Sequence, residues 1–165
     1  KIKKLVIDPV MIAKSGDKLL QDSAVDLLIQ KLIPLAYIVT PNIPEAEVLT
    51  GEKILSIEDM EKACRRIHDL GSKSVVVKGG HLQNEAIDVF FDGKKFYHLK
   101  SKRIRSKNTH GTGCTFSAAI TAYLAKGYSV LESVTLSKRY ITHAIRKAFS
   151  IGKGHGPVHH FYKFY

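Results

Sequence analysis

The sequence predicts an α/β fold, a mostly parallel sheet covered by helices on both faces. Three observations carry that prediction. Short β-branched runs, KLVID, AYIVT and KSVVV, alternate with segments of helical period. The ends of these runs carry Asp8-Pro9, Thr40-Pro41 and the pair Gly79-Gly80, residues that stop a strand rather than extend it. The length of 165 residues with 44% hydrophobic content is enough to bury one ordinary core, and no internal repeat or linker divides it.

KLVID reads as a buried strand that delivers Asp8 to its carboxyl end. After the loop PVMIAKSGD, residues 22–32 place Val25, Leu28, Ile29 and Leu32 on one helical face, and Pro34 ends that helix. AYIVT is the next strand. In PNIPEAEVLTG, Asn42 precedes a short helix, Glu45 follows three residues later and Gly51 stops it. Ser56 with Asp59 opens a helix through Leu70, closed by Gly71. KSVVVKGG is a third buried strand. EAIDVFF and FYHLK flank DGKK as a hairpin with Asp92 and Gly93 at its tip.

The stretch NTHGTGCTFSAAITAYLAKG turns into a helix that reaches about Lys126. Ser129 with Glu132 forms a capping box for a last helix to Phe149, whose face Val130, Val134, Ile141 and Ile145 reads as buried. The tail IGKGHGPVHHFYKFY shows no period. Its His155, His159 and His160 have no carboxylate or thiolate pattern beside them, so no metal site is expected there. Residues 1–165 read as one domain.

The formal net charge is +11, and its densest stretch is LKSKRIRSK, with Lys100, Lys102, Arg103, Arg105 and Lys107. Such a run is either a solvated face or an electrostatic funnel for a small polyanion. No helix-turn-helix, zinc-finger or aromatic-platform pattern accompanies it, so no nucleic acid is expected as a partner. No apolar run approaches the roughly 20 residues that span a bilayer, and KIKKLVIDPV lacks the features of a signal peptide. A soluble, cytoplasmic protein without a membrane partner is expected. Cys64 and Cys114 are far apart and in no metal or disulfide spacing, which suits a reducing compartment. Cys64, on an amphipathic helix, reads as core.

Ligands of such sheets bind at the carboxyl ends of the strands, which here carry Asp8, Thr40 with Asn42, and Lys78 with Gly79 and Gly80. In HGTGCTFS, Gly111 and Gly113 allow positive φ and let successive N–H groups face one concavity, to which a helix start adds its positive dipole end. That arrangement attracts phosphate or a developing oxyanion, and the same field favours a thiolate at Cys114. The bland alternative is a tight turn before a buried helix with Cys114 as a small core residue. The Lys-Ser/Thr pair of a P-loop is absent. Asn42 and Glu45 are either a capping box alone or a cap that also fixes a carboxylate for Mg²⁺.

The blocks DPVMIAKSGDKLL, PLAYIVTPNIPEAEVLTG, VVVKGGHL, NTHGTGCTFSAAITAYLAKG and GKGHGPVHHF resemble hydroxymethylpyrimidine/phosphomethylpyrimidine kinases of thiamin biosynthesis. These belong to the ribokinase-like superfamily, which also holds pyridoxal kinases. The resemblance implies a three-layer α/β/α kinase domain, incomplete at its N-terminus, with residues 1–165 as its C-terminal, nucleotide-side part. It implies ATP as phosphoryl donor, Mg²⁺ as cofactor and a small hydroxymethyl-pyrimidine as substrate. By the same likeness Gly111, Thr112 and Gly113 form the anion hole, and Cys114 stands where most of the superfamily has an aspartate base. Glu45 helps hold Mg²⁺. Asp8, Thr40 and Asn42 lie near the nucleotide phosphates, and Lys78 neutralises phosphate charge. The fragment is expected to be weak or inactive alone, and to form a homo-oligomer or pair with the missing N-terminal part. A pyridoxine-type vitamin kinase and a non-catalytic nucleotide-binding remnant are the alternatives.

Overall fold

A computed structural model of the chain describes residues 2–12, 18–80 and 86–164. Most of the loop after Asp8 expected at PVMIAKSGD, and Glu85 at the start of the expected hairpin, lie outside the described residues. Among the described residues no helix is long and apolar enough to cross a membrane. The chain divides into two compact units, Lys1–Lys100 and Ser101–Tyr165.

The first unit is built on β1 (Val6–Ile7), β2 (Ile38–Val39), β3 (Val75–Val77), β4 (Ala86–Phe91) and β5 (Phe96–Ser101), which lie side by side in that order. Strands β1 and β2 are parallel, as are β2 and β3, with Val6 beside Ile38 and Val39 beside Val75. Strand β4 runs antiparallel to β3, Val75 facing Phe91 and Val77 facing Val89. The reversal follows from chain length, because the link from Val77 to Ala86 is shorter than the dozen or so residues a parallel crossover needs. Val75, Val76 and Val77 are all fully buried. Successive strand residues point to opposite faces, so both faces of the sheet are covered at β3.

Residues 22–35 depart from the expected single helix. An α-helical segment, α1 (Asp22–Leu27), passes into a π-helical turn over Leu28–Leu32 and a short 3₁₀ turn over Ile33–Leu35. A π turn carries one extra residue per turn. The apolar face therefore continues from Leu28 and Ile29 to Ile33, which is fully buried, while Leu32 points outward at 41% exposure.

The helices α2 (Ile43–Thr50) and α3 (Ile57–Asp69) start where the sequence places them. Asn42 and Glu45 form the complete capping box, Gly51 ends α2 at φ 72°, and the Ser56 hydroxyl accepts from Asp59 N. Helix α3 packs on β3 and β4 through Met60, Ala63, Cys64 and Ile67. Cys64 is core, as expected: its Sγ lies 3.5 Å from the Val89 carbonyl, and burial pushes its thiol up to about 12. Gly79 sits so close to β4 that a Cβ there would collide with the Ile87 carbonyl.

The second unit pairs α4 (Thr112–Ala125) with α5 (Val130–Arg146). Phe116, Ile120 and Leu124 on α4 and Val134, Ile141 and Ala144 on α5 are buried. Ser129 and Glu132 cap α5 as the sequence indicates. The helix stops at Arg146 instead of Phe149, because the returning tail supplies His159 N to the Ala144 carbonyl at 3.0 Å. The tail also receives His110 N at Gly156 O and the Tyr140 hydroxyl at His160 O, 3.1 and 2.9 Å.

Candidate active site

Five of the expected residues meet at the carboxyl ends of β1, β2 and β3. The strands are adjacent and parallel, so Asp8, Thr40 and Lys78, which follow them, are brought side by side from positions up to 70 residues apart. Asp8 Oδ1 accepts from the Thr40 hydroxyl at 3.0 Å and from Lys78 Nζ at 2.8 Å. Thr40 is fully buried, and the Asp8–Lys78 pair is largely so, with side chains 13% and 16% exposed. Lys78 N donates to Pro41 O at 2.8 Å, which ties the third strand end to the turn before α2.

That turn orients Glu45. Asn42 Oδ1 accepts from Glu45 N at 2.8 Å while Glu45 Oε2 accepts from Asn42 N at 2.7 Å. The capping box and a fixed carboxylate are therefore one structure, and the two readings of Asn42 and Glu45 are compatible. Glu45 is 3% exposed. Burial raises its pKa above the ordinary carboxylate value, outweighing the lowering by the Lys78 ammonium and the Asn42 N–H, and Asp8 adds to the rise.

A raised pKa means that the folded chain holds the Glu45 proton more tightly than the unfolded chain. Ionisation of this group therefore weakens the fold as pH climbs from the ordinary carboxylate range through the raised value, and costs nothing below it. Glu45→Gln keeps an oxygen for Asn42 N and removes the buried charge. It is expected to raise the thermal unfolding midpoint by a few degrees near pH ~7 and to change it little near pH ~4. Thermal scans at both pH values check this, and a midpoint lowered equally at both would refute it.

In the second unit the turn before α4 has the expected shape at Gly111, the N-cap, with φ 75° and ψ 10°. Gly113 does not share it. The helix already begins at Thr112, so Gly113 is an α-helical residue and contributes the lack of a side chain rather than a positive φ. Among the described residues no side chain caps this helix. The first bond of the turn to reach back four residues is Thr115 N to Gly111 O at 2.9 Å, so the N–H groups of Gly113 and Cys114 lie ahead of it. Thr112 Oγ1 donates to Thr109 O at 2.8 Å. Cys114 is exposed, which excludes the core reading of that thiol. It lines a groove of about 510 Å³ beside α4 with Thr115, Ala118, Ala122, Tyr140 of α5 and His160 of the tail.

Two further residues join these clusters: Asp88, which the sequence did not single out, and His160, which it weighed only as a metal ligand. Asp88, 5% exposed on β4, accepts Gly79 N at 3.0 Å and holds the backbone next to Lys78. An acid inside the otherwise apolar run AIDVFF was the available signal. His160 Nε2 lies 3.0 Å from the Thr115 hydroxyl, beside Cys114 in sequence. No group of three metal-ligating side chains exists among the described residues.

A sequence model of the family described as phosphomethylpyrimidine kinase matches residues 1–159. A hydroxymethylpyrimidine/phosphomethylpyrimidine kinase of Rhizobium meliloti is 49% identical over 167 residues, covering 99% of this chain and 63% of the relative. The crystal structure of a phosphomethylpyrimidine kinase from Clostridium difficile 630 is 52% identical with a TM-score of 0.75, over 87% of this chain and 58% of that one. The pyridoxal kinase of Staphylococcus aureus, solved with AMP-PCP and pyridoxal, is 40% identical with a TM-score of 0.89, over 98% of this chain and 59% of that one. The chain thus spans about three fifths of the length of each. The α/β fold expected from sequence is the fold of these vitamin kinases.

Proposed function

Because the chain belongs to the phosphomethylpyrimidine kinase family, we propose that residues 1–165 are the nucleotide-side part of one kinase domain. The domain transfers the γ-phosphoryl group of ATP to 4-amino-5-hydroxymethyl-2-methylpyrimidine and then to its monophosphate, in thiamin biosynthesis. The observation that carries the reading is the buried Asp8–Thr40–Lys78 cluster beside the capped Glu45 at three adjacent strand ends.

Phosphoryl transfer needs positioning and charge stabilisation more than covalent chemistry. Lys78 offers an ammonium held in place by Asp8, whose carboxylate Thr40 also holds, and Asn42 fixes the start of α2. The Gly111–Gly113 turn offers N–H groups at the positive end of α4 to the moving phosphoryl group. Cys114, exposed in the first turn of that helix, accepts the proton of the substrate's hydroxymethyl oxygen, and in the second step that of its phosphate.

The donor set suits a hard cation: Glu45 is an oxygen ligand whose buried negative charge is incompletely offset. Mg²⁺ would be held by Glu45, in part through water, and would supply neutralisation of the phosphate charge.

The test is phosphorylation of hydroxymethylpyrimidine with ATP and Mg²⁺, by this chain alone and within a polypeptide of family length. Turnover is expected only in the longer protein. Full activity of the 165-residue chain would overturn the fragment reading, and activity in neither would overturn the kinase. The likeness to a pyridoxal kinase favours one second reading, a pyridoxine-type alcohol as substrate, and parallel assays of the two alcohols decide between them.

A further inference from the structure

The formal charge is divided very unevenly between the two units. Residues 1–100 hold fifteen Lys and Arg against fourteen Asp and Glu, a net +1, whereas residues 101–165 hold eleven against Glu132 alone, a net +10. In the first unit acids and bases pair locally, as in Lys53–Glu47, Arg66–Glu52 and Lys78–Asp8 at 3.0, 2.7 and 2.8 Å. In the second the one side-chain carboxylate is engaged by the start of α5. Glu132 Oε2 accepts from Ser129 N at 2.9 Å and from Ser129 Oγ at 2.6 Å.

The basic residues are shared among separate elements: four before the glycine turn, Lys126 after α4, Lys138, Arg139 and Arg146 on α5 with Lys147 just after it, and two in the tail. Lys102, Arg105 and Lys107 are exposed. Distribution over several elements makes a broad field, not the single stripe that tracks a nucleic-acid backbone. A 65-residue unit has a radius of gyration of roughly 11 Å, so charges on its opposite sides lie more than two physiological screening lengths of ~8–10 Å apart. At ~20 mM salt the screening length is about 20 Å, so the ten charges sum to one field around the unit and the Gly111–Cys114 turn lies within it, whereas at physiological salt the basic residues nearest in sequence to the turn, Lys102, Arg105 and Lys107, dominate it. A field of this kind acts on the approach of a ligand more than on its retention.

We infer that the second unit is an electrostatic collector for short, highly charged phosphate chains, speeding their arrival at the Gly111–Cys114 turn and favouring triphosphate over diphosphate by charge. The inference deepens the reading of that turn as a phosphoryl site and does not depend on catalysis. Nucleoside triphosphate and inorganic tripolyphosphate share the recognised chemistry.

Stopped-flow association of a fluorescent ATP analogue with the chain, and displacement of that analogue or direct calorimetric titration with tripolyphosphate, test it. The association rate is expected to fall about tenfold between ~20 and ~300 mM salt, with dissociation changed less than about twofold. The corresponding ADP analogue should show a shallower fall. Lys102→Gln, Arg105→Gln and Lys107→Gln combined should slow association at least ~3-fold at low salt. Removing the same charge from the first unit, by Lys3→Gln, Lys31→Gln and Lys94→Gln, should have less than half that effect. Salt-independent association, equal effects of the two triple variants, stronger competition by a short oligonucleotide, or no binding of either probe would overturn the inference. Salt-sensitive tripolyphosphate binding without ATP binding would uphold it while overturning the nucleotide reading of the turn.

Discussion

Cys114→Ala is expected to lower phosphoryl transfer about 10²–10⁴-fold in a family-length protein, the range that a positioned general base contributes, with nucleotide affinity within about twofold. The thiol is exposed in the first turn of α4, and the backbone that shapes the turn runs through Thr112 and Thr115, not through the Cys114 side chain. Truncating it therefore leaves the turn intact. Cys114→Asp, which restores a proton acceptor of the kind most of the superfamily uses, should recover part of the rate. Single-turnover transfer from labelled ATP, set beside equilibrium nucleotide binding, reads both quantities. A parallel loss of affinity would make Cys114 a structural residue of the turn, and an unchanged rate would place the base elsewhere.

Gly79→Ala is expected to destabilise the first unit by about 3 kcal/mol or more, in the range of severe overpacking. Its added methyl would meet the Ile87 carbonyl, which is backbone of β4 and cannot swing aside as a side chain would. Relief requires β3 and β4 to separate, which strains the Gly79 N to Asp88 contact and moves Lys78. Gly80→Ala is the control, since among the described residues nothing lies within 4 Å of a Cβ there; it should change stability by less than ~0.5 kcal/mol. Urea unfolding of both variants settles the matter, and equal costs would refute the close approach of Gly79.

What could be read from the sequence was what depends on near neighbours. Asn42 with Glu45, and Ser129 with Glu132, are three residues apart, so spacing alone revealed both caps. The stops at Gly51, Gly71 and Gly93 were legible for the same reason, each having the positive φ that glycine accepts most readily. Asp8 and Lys78 could be assigned to strand ends, but their 2.8 Å contact depends on the order in which distant strands pair. The Thr115–His160 contact spans 45 residues and had no local signal at all. Gly113 departs from the expected positive φ because a glycine's presence does not reveal whether the position needs left-handed backbone or only empty space. Leu32 departs from the expected buried face because periodicity assumes a fixed number of residues per turn.

The π turn that misled the periodicity at Leu32 also bears on how such a chain tolerates change. A π turn closes its hydrogen bonds one residue later than an α turn, so it takes up an extra residue within a helix. Val25, Leu28 and Ile29 before the widening and Ile33 after it all reach the core, so both flanks are anchored while the turn absorbs the surplus. The segment between α1 and β2 is thus a place where descent can add or drop a residue without shifting the strand that carries Thr40.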